Sequence, residues 1–200
     1  MRRTTVECGR LGVRELTLYC LSSENWKRPE HELEFLMHLL EQYLIEERQT
    51  LIRENIRLEV IGRREPLPDQ LRAAVEASSG ISREDGVLDV TVALAYSGRD
   101  ELVEAAQATV RDLVAQGVPA DELAGRLTGE ALASHLYTRG SSDPDLIIRT
   151  SGEVRLSGFL PWQSVYSEYY FCEAYWPAFR EIDFLRAIRT YQQRARRFGQ

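Results

Sequence analysis

Residues 16–29 read LTLYCLSSENWKRP and contain a strand-prone run, a polar loop and the start of a helix. The β-prone run from Leu16 to Cys20 predicts a short strand that ends at Ser22-Ser23. Pro29 then begins a helix that is predicted to extend to about residue 54, because apolar residues recur there at helical spacing. These apolar residues are Leu33, Leu36, Met37, Leu40 and Leu44.

The rest of the chain repeats this alternation of strands and helices. Further strands are predicted at about 57–61, 88–96 and 145–149. Further helices are predicted at about 68–79, 98–116, 121–136 and 182–198. The alternation predicts one α/β domain over residues 1–200, with a mainly parallel central sheet flanked by helices. Ligands of such sheets bind at the carboxyl ends of the strands, so the loops that follow the strands are the candidate site.

Composition excludes several classes of protein. The chain has 200 residues, a net charge of −6 and 44% hydrophobic residues, which suits a packed globular fold and argues against a general nucleic-acid binder. It contains no apolar run of about 18 residues and no signal-peptide pattern, so we expect a soluble, cytoplasmic protein. Its three cysteines and three histidines lack the spacing of a disulfide framework or a metal cluster.

Two polar clusters directly follow predicted strands. Residues 22–29 combine hydroxyl, carboxylate, amide, indole and cationic groups ahead of a helix, which suits anion binding or, alternatively, an ordinary helix cap. Arg149 and Arg155 lie six residues apart among small polar residues. Their forked guanidinium groups could grip a diphosphate or form two surface ion pairs.

Two further features carry potential ligands. Glu168 lies within an aromatic run, where a carboxylate needs a cation, a metal or hydrogen bonds, unless it faces solvent. Arg196-Arg197-Phe198-Gly199 precede the last residue, Gln200, and by pattern alone form a frayed basic helix end.

Taken in order, these segments resemble the cis-prenyltransferase family. The matching motifs are Ser22-Ser23-Glu24-Asn25-Trp26-x-Arg28-Pro29, Ile148-Arg149-Thr150-x-Gly152-Glu153, Arg155-x-Ser157, Trp162-Gln163, Tyr166-x-Glu168-x-Tyr170-Phe171, Trp176-Pro177 and Arg197-Phe198-Gly199. The resemblance spans residues 10 to 199.

The resemblance implies an isoprenyl transferase that joins isopentenyl diphosphate to an allylic diphosphate such as farnesyl diphosphate, giving a cis-polyprenyl diphosphate. It implies Mg²⁺ as the cofactor, a homodimer, and a peripheral membrane contact for release of the lipid product. Asn25 lies where the family places the residue assigned to proton removal, although a neutral amide is a weak base. Glu168 would bind Mg²⁺. The implied substrate-binding residues are Ser22, Ser23, Glu24, Trp26, Arg28, Arg149, Arg155, Leu156, Ser157, Arg197 and Gly199.

The chain departs from the family pattern mainly by an absence. The family begins with a strand and an Asp-Gly-Asn-x-Arg-Trp loop, and the sequence contains no such loop. Met1-Arg2-Arg3-Thr4 aligns inside the helix that follows that loop, so we expect an N-terminally truncated domain without activity of its own. The alternative is a non-catalytic partner subunit or a decayed copy. Smaller departures lie at Ala95 and Gly158 (usually Asn), Ser97 and Ser151 (usually Gly), Val154 (often His) and Pro161.

Overall fold

The computed structural model describes residues 2–78 and 87–194 of the chain. Its helices are Arg2–Arg10 (α1), Glu30–Arg53 (α2), Asp69–Ser78 (α3), Gly98–Ala115 (α4), Leu123–Arg126 (α5), Gly129–Ala133 (α6) and Glu181–Gln193 (α7). Its strands are Glu15–Tyr19 (β1), Ile56–Ile61 (β2), Leu88–Ala93 (β3), Leu146–Arg149 (β4) and Glu168–Phe171 (β5). Two 3-10 helices cover Ser23–Lys27 and Trp176–Ala178.

The strands form two parallel sheets. One sheet has the order β1-β3-β2, and the other pairs β4 with β5. The predicted α/β class with parallel strands is therefore confirmed, with the sheet in two parts in the described residues. Within those residues the outer edge of β1 and the free edge of β4 have no strand partner.

The main core lies between the larger sheet and the helices that pack against it. Alternate residues of β2 and β3 are buried, and α2 and α3 contribute apolar side chains at helical spacing. The residues that α2 buries in this core are Met37, Leu44 and Leu51. This packing fixes the strands whose carboxyl ends carry the candidate site.

Several element boundaries differ from the sequence-based predictions. The aromatic run that ends at Phe171 contains strand β5, which the short period-2 signal did not reveal. The predicted helix over 121–136 is two short helices, because Thr128 adopts an extended conformation and caps α6 by accepting a hydrogen bond from the Ala131 amide. β3 ends at Ala93 rather than residue 96, since Ala95 has a φ of 49°.

None of the helices in the two described ranges has the length and hydropathy needed to cross a membrane.

Candidate active site

The two polar clusters meet in one cavity of about 640 Å³ at the carboxyl ends of β1 and β4. The predicted residues that line it are Ser22, Glu24, Asn25, Arg28, Arg149 and Ser157. Tyr19, Cys20, Leu21, Arg99 and Gly158 complete the wall. The sequence-based expectation that both clusters lie at the same edge of the sheet is therefore met by the geometry.

The first loop is held by its own short-range hydrogen bonds. Ser22 caps the 3-10 helix, because its hydroxyl oxygen accepts a hydrogen bond from the backbone N–H of Asn25 at 3.3 Å. Its backbone N–H and its hydroxyl both donate to Oδ1 of Asn25, at 3.0 Å each. A backbone N–H can only donate, so the oxygen of the Asn25 amide must face Ser22. The Nδ2 group of Asn25 therefore points away from Ser22 as a donor.

Two other residues of this loop are oriented by different contacts. The Trp26 ring packs against the core, and its indole Nε1 is buried without a hydrogen-bond partner among the described residues. Arg28 lies 3.6 Å from Glu32, and both side chains are about half exposed. A solvent-screened pair of this kind is weak, so Arg28 can exchange Glu32 for an anion.

Arg149 is the cation that β4 contributes to the cavity. Its Nε is buried and has no hydrogen-bond partner in the part of the chain that the structure describes. An unsatisfied buried donor on a charged group is costly, so Arg149 is a cation whose hydrogen-bonding capacity the described residues do not fill.

Tyr19 connects the two walls of the cavity. Its hydroxyl donates to the carbonyl oxygens of Tyr96 at 3.3 Å and Ser157 at 3.4 Å, and its ring stacks on Phe159 at 4.7 Å. Burial raises the pKa of Tyr19, so the phenol stays protonated and available as this donor. Burial likewise raises the pKa of the Cys20 thiol to about 12, which makes it a neutral wall residue rather than a nucleophile.

Some predicted residues lie apart from this cavity. Arg155 is exposed and bonded to Glu153 at 2.7 Å, and Leu156 lines a second cavity instead. Ser23 is engaged through its backbone, whose N–H donates to the Tyr96 carbonyl. Arg197 and Gly199 lie outside the described residues.

Glu168 begins β5 opposite Leu146, at the amino end of β4, whereas Arg149 lies at its carboxyl end. Its carboxylate accepts a hydrogen bond from Arg194 at 2.5 Å. Residues 2–78 and 87–194 contain no group of three acidic, histidine or cysteine residues that could hold a metal ion. Mg²⁺ is commonly bound by one or two carboxylates together with substrate phosphates, and the assignment of Glu168 as a ligand stays a prediction.

The second cavity, of about 900 Å³, separates the two sheets. It is lined continuously by residues 12–21, which include β1, and by residues 141–150, which include β4. Near the start of β1, the Glu15 carboxylate accepts hydrogen bonds from the backbone N–H and the hydroxyl of Ser142. The unpaired edges of β1 and β4 thus face one another across a slot, and apolar residues of α2 and α7 lie on its two sides.

Sequence reasoning overlooked Tyr19 and Arg99 as parts of the site. Arg99 follows Gly98 at the start of α4, the helix that comes shortly after the end of β3. The rule that ligands bind beyond the carboxyl ends of parallel strands would have found it, because a buried strand precedes it.

The cavity combines three arginines with a free amide donor and hydroxyl groups at one sheet edge. Forked guanidinium groups suit planar or tetrahedral oxyanions, and Arg149 approaches from the end of β4 while Arg28 approaches from the loop before α2. Such a site can bind a phosphate or diphosphate group and stabilise negative charge that develops on it.

Comparison with known proteins agrees with this chemistry. A family model described as putative undecaprenyl diphosphate synthase matches residues 1–199. The isoprenyl transferase of Listeria innocua is 45% identical over 199 residues, which are 100% of this chain and 77% of the relative. The isoprenyl transferase of Thermus thermophilus is 44% identical over 194 residues, covering 96% of this chain and 74% of the relative.

Solved structures show the same likeness. Lavandulyl diphosphate synthase from Lavandula x intermedia, in complex with dimethylallyl diphosphate, superposes with a TM-score of 0.89 at 32% identity, covering 98% of this chain and 83% of its own. A probable undecaprenyl diphosphate synthase from Campylobacter jejuni superposes with a TM-score of 0.84 at 31% identity, covering 100% and 90%.

Proposed function

Because the chain belongs to the undecaprenyl diphosphate synthase family of isoprenyl transferases, we propose that it condenses isopentenyl diphosphate with an allylic diphosphate to give a cis-polyprenyl diphosphate. The observation that carries the proposal is the cavity in which Arg28, Arg149 and the free Nδ2 of Asn25 converge. The lavandulyl diphosphate synthase neighbour, which was solved with an allylic diphosphate, supports the same ligand class.

The proposed role of these residues is to hold and orient diphosphate groups. The nucleophile is an alkene, which needs no deprotonation before it attacks, so placing it against the allylic carbon is the main requirement. Negative charge grows on the departing diphosphate, and guanidinium groups stabilise that charge. Arg149 and Ser157 would bind isopentenyl diphosphate, and Arg155 would join them after leaving Glu153.

Asn25 acts in this proposal as a donor and not as a base. Its oxygen already accepts two hydrogen bonds from Ser22, so only its NH₂ group is available to the substrate. That group can orient a diphosphate oxygen, which is itself a much stronger base than an amide. The proton that leaves after condensation would then pass to a diphosphate oxygen.

We propose that turnover needs an N-terminal segment with the Asp-Gly-Asn-x-Arg-Trp loop that the resemblance implies. The slot between β1 and β4 supports this part of the proposal. A parallel strand inserted there would pair with both unpaired edges, and its carboxyl end would reach the cavity beside Arg149. The requirement for Mg²⁺, with Glu168 as its predicted ligand, rests on the resemblance alone.

The proposal also includes a cytoplasmic homodimer that touches the membrane when it releases its lipid product. Large apolar side chains exposed next to β5 support an interface between copies. These exposed side chains include Val165, Tyr166 and Tyr175. A non-catalytic partner subunit or a decayed copy of a cis-prenyltransferase is the second candidate, and co-purification with a complete homologue distinguishes the partner subunit from the enzyme.

The test is incorporation of labelled isopentenyl diphosphate with farnesyl diphosphate, in Mg²⁺ and in EDTA. We expect no turnover from residues 1–200 and Mg²⁺-dependent turnover from the same chain with an in-frame extension that carries the Asp-Gly-Asn-x-Arg-Trp segment. The matched variant is the extended chain with Arg149→Lys, which keeps the positive charge but loses the forked guanidinium group that the proposal assigns to diphosphate binding. Turnover by residues 1–200 alone would refute the need for the segment. An inactive extended chain that co-purifies with a complete homologue would favour the partner subunit.

A further inference from the structure

We infer that Arg99 is a further diphosphate-binding residue, which closes the cavity from the side opposite Arg149 and recognises isopentenyl diphosphate. The inference rests on the proposed function and adds a residue to its site. The cavity wall contains Arg28, Arg99 and Arg149, from three different segments of the chain. Arg99 thus adds a third guanidinium group that neither the motif at 22–29 nor that at 149–157 contains.

The position of Arg99 follows from the sheet order. β1 lies between the slot and β3, so Arg149 approaches from the β4 side and Arg99 from the carboxyl end of β3. The two arginines therefore lie on opposite sides of the end of β1. A diphosphate between them would receive forked hydrogen bonds from both directions, which fixes its orientation as well as its charge.

Arg99 is held in place by a close backbone approach. The Gly98 amide donates to the Gly158 carbonyl at 2.9 Å, which joins the start of α4 to the turn that contains Ser157. A Cβ at residue 98 would lie 2.1 Å from Cδ of Pro161 and 2.7 Å from the Gly158 carbonyl oxygen. Glycine is therefore required at this position, and it sets Arg99 directly beside the Ser157 turn.

The placement of Arg99 does not stabilise the protein without a ligand. It is the second residue of α4, where the helix dipole disfavours a cation. Within residues 2–78 and 87–194 it makes no ion pair with a carboxylate. Arg99 is exposed and lines the same cavity as Arg28 and Arg149, so its guanidinium group is available to an anion that binds there.

The experiment measures inorganic pyrophosphate binding by calorimetry to residues 1–200 at one ionic strength. Arg99→Ala should weaken binding by about tenfold or more, the loss expected for a charge-assisted hydrogen bond. Arg99→Lys should recover part of that loss. The matched control is Arg111→Ala, which removes an exposed arginine of the same helix outside the cavity and should change affinity by less than about twofold. The melting temperature of Arg99→Ala should not fall, since alanine suits a helix and relieves the dipole.

Three results would overturn the inference. They are unchanged affinity in Arg99→Ala, equal weakening in Arg111→Ala, and no pyrophosphate binding by the unsubstituted chain. In the extended chain, Arg99→Ala should raise the KM for isopentenyl diphosphate more than that for farnesyl diphosphate. If the extended chain shows no prenyl transfer but Arg99→Ala still weakens pyrophosphate binding, the proposed function fails and the anion-binding role of Arg99 stands.

Discussion

The two loops that form the candidate site are held in different ways. The loop at 22–28 is organised by contacts between near neighbours, since Ser22 and Asn25 cap one another across a single turn. The loop at 150–158 contains strained backbone, with positive φ at Ser151 and Ser157, and an internal Arg155–Glu153 ion pair. The first loop therefore presents its polar groups before a ligand arrives, whereas the second must rearrange Arg155 to use it.

Both loops depend on the same anchor at the end of β3. Ser23 and Gly98 are bonded through their backbone N–H groups to Tyr96 and Gly158, respectively. Tyr96 in turn donates its hydroxyl to the carboxylate of Glu101 at 2.5 Å, and burial raises the pKa of Tyr96 so that it remains a donor. Glu101 is only 1% exposed. The two loops thus differ although both are bonded to the same buried segment that follows β3.

Disrupting the hydrogen bonds to the buried Glu101 carboxylate is expected to have the largest effect on stability. Glu101 accepts hydrogen bonds from the Tyr96 hydroxyl, the Tyr137 amide and the Gln163 side chain. Glu101→Ala should lower the free energy of unfolding by about 3 kcal/mol, because the buried Tyr96 hydroxyl and the partly buried Tyr137 amide lose their acceptor and Gln163 loses one of two. Urea unfolding measures the change. The control Glu122→Ala removes an exposed carboxylate and should cost less than about 0.5 kcal/mol. Similar losses in the two variants would show that the buried network is not the common anchor.

The first loop can be tested through Asn25. Asn25→Asp keeps an oxygen for both Ser22 donors but replaces the NH₂ group by a second carboxylate oxygen, which repels a diphosphate. In the extended chain, Asn25→Ala should reduce turnover by about tenfold and Asn25→Asp by about a hundredfold or more. Steady-state kinetics with labelled isopentenyl diphosphate measures both. If Asn25 removes a proton instead, Asn25→Asp would retain more activity than Asn25→Ala.

The sequence predicted the fold and the local parts of the site for the same reason. Strand β1, helix α2 and the Ser22–Asn25 cap depend on residues close in sequence, so periodicity and capping rules predict them. The Glu153 partner of Arg155 and the Arg194 partner of Glu168 depend on side-chain orientation, which periodicity does not encode. Arg99 follows the buried strand β3, so the rule on strand ends indicates it as a candidate, but only the sheet order places it near Arg149.

The departures from the family pattern have a structural explanation in three cases. Ala95, Ser151 and Gly158 have φ values of 49°, 73° and 75°, in the left-handed region. Asparagine and glycine adopt this region at little cost, and these are the residues that the resemblance implies there. Alanine and serine at 95 and 151 therefore carry backbone strain that a sequence pattern shows only as an unusual residue.

The smallest expected effect tests the strain in the second loop. Ser151→Gly should raise the free energy of unfolding by about 0.5 to 1 kcal/mol, because glycine adopts a φ of 73° without the clash of a Cβ. The matched control is Ser134→Gly, at a residue with a φ of −64° after α6, where the same change should destabilise the protein by a similar amount. Urea unfolding of both variants gives the comparison. A loss of stability in both would mean that the backbone at Ser151 is relaxed, and the contrast between a preorganised first loop and a strained second loop would then fail.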